Sequence, residues 1–128
     1  MQHESTGVIR TSIERGLLRI ALDVDPGIAE VARALIPKHF RVNRPKFAPH
    51  ISLVRQAEKI DNFDRHEGEV VPFMYSMTIH HDDTYFWLIA ESPRLRAIRV
   101  ELGLPELGWC CRPPDDSDCF HVTVANLK

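Results

Sequence analysis

The sequence has few cysteines and no long apolar segment. Its 128 residues include three cysteines, an odd number, and two of them, Cys110 and Cys111, are adjacent. This set does not suit the disulfide framework of a small secreted protein and is typical of a reducing compartment. The polar residues 1–6 lack the apolar region of a signal peptide, and no run approaches the roughly 20 apolar residues of a membrane span. We therefore expect a cytoplasmic protein without membrane contact.

An excess of one charge sign is also missing. The chain has 16 lysines and arginines against 18 acidic residues, a formal net charge of −2. Binding of long duplex nucleic acid by counterion release needs a strong positive field, so this class of partner is excluded. Any phosphate recognition must be local, which favours a small nucleotide, a short RNA or a cyclic oligonucleotide. The sequence leaves the oligomeric state open.

One short pattern occurs twice in the chain. Residues 49–54 read PHISLV, and residues 120–124 read FHVTV. Polar and apolar side chains alternate in both, as in a β-strand, where residues i and i+2 share a face. We therefore expect His50 and Ser52 on one face of the first strand, and His121 and Thr123 on the equivalent face of the second.

Both copies end a similar series of predicted elements: strand, proline-started helix, strand. Asp25 and Ser92 each precede a proline, which predicts a helix N-cap followed by the first helical residue. Residues 1–16 are either an edge strand or a frayed start, and residues 56–69 are a loop or a short helix. The predicted strands cover 17–24, 50–54, 70–79, 84–90 and 120–124, and the predicted helices begin at Pro26 and Pro93.

The repeated series predicts one domain over residues 1–128 with an α+β fold and pseudo-two-fold symmetry. The first lobe would cover residues 17–54 and the second residues 84–125. In this arrangement the two histidine strands lie near each other at the centre. Their polar faces would then meet in one cleft.

Two histidines without a carboxylate pair suit concerted acid–base catalysis near neutral pH. One neutral imidazole takes a proton from an attacking hydroxyl or water, and one protonated imidazole gives a proton to the leaving oxygen. Ser52 and Thr123 would hold the phosphoryl oxygens between them. The pattern predicts a phosphodiesterase without metal or other cofactor, with His50 and His121 as its catalytic pair. It does not say which of them is the acid.

Other interpretations of these side chains stay open. A single strand histidine is often a core residue bonded to backbone. A zinc site is possible on four soft ligands, although adjacent cysteines rarely bind one tetrahedral ion: Cys110, Cys111, Cys119 and His121. Residues 80–83, HHDD, could bind a metal loosely but are typical of a solvated hairpin turn. Four aromatic residues could stack on bases, although core packing is the default for each: Tyr85, Phe86, Trp87 and Trp109.

The paired stretches HISL at 50–53 and HVTV at 121–124 resemble the motifs of the 2H phosphoesterase superfamily. This superfamily includes the 2′-5′ RNA ligase-like enzymes and the RNA cyclic phosphodiesterases. The resemblance covers residues 17–127 and implies a bilobal fold of antiparallel sheets around a central cleft, with the helices outside. It also implies that the two histidines are the acid and the base, and that Ser52 and Thr123 bind phosphate.

The compact size and the ending HVTVANL are also similar to small phage phosphodiesterases. Some of these degrade the cyclic oligonucleotide signals of bacterial antiviral defence. If this chain is viral, we expect it to act in the host cytoplasm. We expect an enzyme that cleaves a 2′,3′-cyclic phosphate, an RNA end or a cyclic oligonucleotide. The alternatives are a non-catalytic module that binds a nucleotide or an RNA 3′ end in the same cleft, and a zinc-stabilised structural domain.

Overall fold

A computed structural model describes residues 2–128 of the chain. Strands predominate among them, and the two helices are only 10 and 9 residues long. In chain order the elements are β1 (His3–Glu14), β2 (Leu17–Asp23), α1 (Pro26–Leu35), β3 (Val42–Asn43), β4 (His50–Gln56), β5 (Val70–His81), β6 (Tyr85–Glu91), α2 (Pro93–Glu101) and β7 (Phe120–Leu127).

The strands form one antiparallel sheet in the order β3-β7-β4-β2-β1-β5-β6. Because β6 also pairs with β7, six of the strands close into a barrel, and the two-residue β3 is attached to β7 from outside this ring. The fold is therefore mostly β.

The predicted α+β fold with two lobes around a central cleft is wrong. Strands from both halves of the chain belong to the same closed sheet, joined where β4 meets β7 and where β1 meets β5. Side-chain periodicity can identify a strand, but it does not say which other strand that segment pairs with. The pairings that close the sheet join segments that are distant in the sequence, and no local pattern encodes them.

The N-terminal strand β1 is central to the difference between the predicted two lobes and the observed closed sheet. It is hydrogen-bonded on both sides, to β2 and to β5, so it is not an edge strand or a frayed start. Its sequence is mostly polar, and only Gly7 and Ile9 are buried. Backbone pairing needs no apolar side chains, so the strand carries little hydrophobic signal. At Gly7 a Cβ would lie 2.5 Å from the carbonyl oxygen of Asp23, so glycine is required for the close approach to β2.

The two connections that contain helices are similar. The chain runs from β2 through α1 to β4, and from β6 through α2 to β7, and in each case the two strands are antiparallel neighbours. Both predicted N-caps are confirmed: the Asp25 carboxylate accepts a hydrogen bond from Gly27 N, and Ser92 Oγ accepts one from Leu95 N. Within residues 2–128, neither helix is long and apolar enough to span a membrane.

The apolar faces of the strands and helices pack into one core. Ile51 of β4 and Val122 of β7 are completely buried in it. The helices contribute residues from one side of each, and these are Ile28, Ala29, Ala32, Leu95 and Ile98. Since strand side chains alternate between faces, the side chains next to Ile51 and Val122 are directed away from this core.

A bulge in β4 is stabilised by a buried arginine. Ser52 pairs with Ala21 and Val54 with Ile20, so Leu53 is an extra residue in β4. The carbonyl oxygen of Leu53 accepts a hydrogen bond of 2.5 Å from Arg99 Nη1. Arg99 also donates from Nε to Pro105 O at 2.7 Å, and its side chain is only 4% exposed. It therefore ties the histidine strand to the loop after α2.

We expect the substitution Arg99→Met to lower the free energy of unfolding by about 3 kcal/mol, because the buried Leu53 carbonyl and the part-buried Pro105 carbonyl lose a charged donor. Urea denaturation measures this change. Val100→Ala, at an exposed position of the same helix, is the matched control and should stay within about 0.5 kcal/mol of the wild type. Equal stability of the two variants would contradict this role of Arg99.

Candidate functional site

The two motif strands are neighbours in the sheet. Ile51 of β4 pairs with Val122 of β7. The antiparallel register puts His50 opposite Thr123 and Ser52 opposite His121, on the face that points away from the core. These four side chains are all partly exposed. His50 and His121 occupy diagonal positions, which in an antiparallel sheet are about 7–8 Å apart. The two imidazoles therefore belong to the same four-residue block of the sheet.

Both imidazole rings are oriented by backbone carbonyl groups. His50 Nδ1 lies 2.8 Å from Ala48 O, and His121 Nδ1 lies 2.9 Å from Cys111 O. A carbonyl oxygen can only accept a hydrogen bond, so Nδ1 carries the proton in both rings. In the neutral form this leaves Nε2 of each ring as the unprotonated nitrogen. The two rings are thus held in the same tautomer with the same nitrogen available.

The environment of His121 favours its neutral form. Burial lowers the pKa of His121 below its usual value of 6.5. The hydrogen bond to Cys111 O opposes this effect, while the nearby charge of His50 lowers the pKa further. Burial and the charge of His50 thus favour the neutral imidazole over the imidazolium.

Two cavities meet at His50. The smaller, of about 220 Å³, contains Ser52 in its wall, and the larger, of about 480 Å³, contains Thr123. Three residues line both cavities: Phe47, His50 and Arg55. We call these two adjoining cavities together the groove, and its walls include both hydroxyl side chains. His50, Ser52 and Thr123 line this groove. His121, the fourth motif residue, lies next to it in the sheet but is not part of its lining.

Phe47 is a site residue that sequence reasoning missed. It is 56% exposed, and Arg19 Cζ and Lys46 Nζ each lie 5.8 Å from its ring centroid. An exposed aromatic ring in a groove can stack on a nucleotide base. The available signal was its place in the basic segment RVNRPKF, at residues 41–47, just before the first histidine motif.

The aromatic residues singled out from sequence have different surroundings. Tyr85 lines the larger cavity and is 46% exposed. Phe86 and Trp87 are buried, at 1% and 2% exposure, so neither offers a free ring face. Trp109 is 74% exposed but lies outside the walls of both cavities. Only Tyr85 of these four is in a position to contact a ligand in the groove.

The described residues contain no ligand cluster that would support a metal site. Within residues 2–128, no group of three or more histidine, cysteine or acidic side chains could hold a metal ion. The Cys110 and Cys111 sulfurs lie 3.9 Å apart, and Cys111 faces His121 with its carbonyl rather than its thiol. In the HHDD segment, Asp82 accepts hydrogen bonds from Thr84 N and Tyr85 N, so it serves the hairpin turn.

Comparisons with protein-family models, characterised proteins and solved structures gave no significant match. The resemblance to 2H phosphoesterases therefore rests on the two sequence motifs alone.

We expect the Cε1 proton of His121 to report a pKa below 6.5 in an NMR titration, because burial disfavours the imidazolium. His50→Gln removes a neighbouring positive charge and should raise the pKa of His121. His39→Gln, at an exposed loop position, is the control and should leave it unchanged. An unchanged His121 pKa in His50→Gln would contradict the proximity of the two rings.

Proposed function

We propose that this protein is a metal-independent phosphodiesterase of the 2H type that cleaves a small nucleotide. The substrates that we propose are a 2′,3′-cyclic phosphate, an RNA end or a cyclic oligonucleotide. The observation that carries the proposal is the matched pair of imidazoles: neighbouring strands hold His50 and His121, with Nδ1 of each bonded to a carbonyl and Nε2 of each available.

The lowered pKa of His121 supports its role as the general base. Its neutral Nε2 takes a proton from water, or from a ribose 2′-hydroxyl, as that oxygen attacks phosphorus. His50 acts as the general acid: the protonated Nε2 gives its proton to the oxygen whose bond to phosphorus breaks. Exchange with solvent then restores both protonation states. The acid limb of kcat/KM, which reports the base, should therefore lie below pH 6.5.

Ser52 and Thr123 bind the phosphate in this proposal. Ser52 lies opposite His121, and Thr123 lies opposite His50, so the hydroxyls occupy the other diagonal of the same four-residue block. Donors on both sides of the phosphorus can stabilise the non-bridging oxygens as their charge increases.

The biological setting follows from the same proposal. The three free cysteines suit a reducing cytoplasm, and a small nucleotide substrate suits the net charge of −2. We propose a cytoplasmic enzyme, which in a virus would act in the host cytoplasm on cyclic oligonucleotide defence signals. A non-catalytic protein that binds a nucleotide in this groove is the alternative, and the following experiment separates the two.

We expect the purified protein to hydrolyse at least one member of a panel containing 2′,3′-cyclic mononucleotides, 2′-5′ oligoadenylate, and cyclic di- and trinucleotides. Chromatography of the products measures turnover. His50→Ala and His121→Ala should each reduce kcat by about 10²–10⁴-fold, because each removes a proton-transfer step. EDTA should have no effect on the rate.

His39→Ala is the control for histidine loss, and circular dichroism should show that all three variants are folded. Full activity in either motif variant would overturn the proposal. Tight binding of a nucleotide by the wild type, with no product after long incubation, would favour the non-catalytic alternative.

Thr123→Val, which keeps the shape of the side chain, should lower kcat by about 10²-fold if the hydroxyl stabilises the developing charge. Thr84→Val is the matched control, since Thr84 lines the same groove at its far end. An equal effect of both substitutions on kcat would argue against a specific phosphate contact at Thr123.

A further inference from the structure

The groove has a concentration of positive charge on the β2 side of His50. Three arginines line the smaller cavity, against one carboxylate, that of Glu14. The whole chain carries a formal charge of −2, so this local excess is a property of the groove. The three arginines are Arg10, Arg19 and Arg55.

Two of these arginines face each other without an acidic partner. Arg19 of β2 and Arg55 of β4 are directly paired across the strands. Like charges at such positions destabilise a sheet. Arg10 is held by Asp23 at 2.9 Å, whereas within residues 2–128 neither Arg19 nor Arg55 forms an ion pair. An anion bound between the two guanidinium groups would remove the repulsion.

The side chain of Arg19 also has an unused buried donor. Its Nε is inaccessible to solvent and has no hydrogen-bond partner, while its guanidinium lies over the exposed ring of Phe47. Leaving a buried charged donor unpaired is costly. Because this Nε is inaccessible, a phosphate in the cavity would be bound by the other guanidinium nitrogens of Arg19, which can form two parallel hydrogen bonds to it.

We propose that Arg19 and Arg55 form a second phosphate subsite, with Phe47 as its aromatic wall. This inference rests on the proposed function and names the substrate class: an oligonucleotide, linear or cyclic, with a phosphate beyond the one that is cleaved. The bulge at Leu53 leaves Ser52 and Arg55 on the same face of β4. Ala21 of β2 is the partner of Ser52, and Arg19 lies two residues before it in the same strand. The Cα atoms of Arg19 and Ala21 are therefore about 7 Å apart. A neighbouring nucleotide spans this separation.

The test compares two substrates that end in the same 2′,3′-cyclic phosphate: adenosine 2′,3′-cyclic phosphate, and the dinucleotide ApA carrying that group. The wild type should have a kcat/KM about tenfold or more higher for the dinucleotide, because its internal phosphate gains a charge-assisted contact. Arg19→Ala and Arg55→Ala should each reduce this value about tenfold and reduce that of the mononucleotide by a smaller factor, so that the preference for the dinucleotide falls. Lys59→Ala, which removes an exposed charge outside the groove, should change neither.

Binding of both nucleotides, measured by calorimetry on the slowly cleaving His121→Ala variant, separates the two proposals. If the wild type cleaves neither nucleotide but binds the dinucleotide through Arg19 and Arg55, the proposed subsite is supported and the proposed cleavage of these substrates is contradicted. The second subsite is overturned if the wild type has the same kcat/KM for both nucleotides. It is also overturned if the arginine substitutions lower kcat/KM for both nucleotides by the same factor. Circular dichroism of both arginine variants identifies any loss of fold, and Arg19→Lys and Arg55→Lys then replace them.

Discussion

The pairing of β4 with β7 at Ile51 and Val122 is the contact on which both the fold and the candidate site depend. It joins the strands of the first half of the chain to those of the second and so closes the sheet. The same two side chains enter the core, where they are completely buried. Alternation along each strand then directs the neighbouring histidines and hydroxyl residues to the opposite face. Core packing and the position of the polar side chains are therefore consequences of one register.

Two loops supply the carbonyl groups that orient the histidine rings. The carbonyl groups that orient the rings belong to Ala48, just before β4, and to Cys111, in the long connection before β7. That connection is held by Arg99, which bonds both to Pro105 and to the bulged Leu53. A shift of the connection would change the orientation of His121. The buried arginine is thus part of the support of the site, although it lies in a helix on the core side of the sheet.

Electrostatics in the groove differ from the balance of the whole chain. The formal charge of the whole chain is −2, yet Arg19 and Arg55, which form no ion pair within residues 2–128, line the cavity beside His50. Repulsion between the paired Arg19 and Arg55 costs stability, and in the proposed subsite a bound phosphate would offset this cost by attracting both guanidinium groups. Burial lowers the pKa of His121, and the nearby charge of His50 lowers it further.

The sequence by itself determined the local features. Alternation in PHISLV and FHVTV identified both motif strands and the faces of their side chains, and Asp25 and Ser92 identified the helix starts, because these signals come from residues close together in the chain. It did not predict the closed sheet. The polar strand β1 lacks an apolar period, and strand partners are chosen by contacts between distant segments. Only the tertiary structure brought Phe47, Arg19 and Arg55 to His50 and supplied the carbonyl partner of each ring, because these groups come from separate loops and strands.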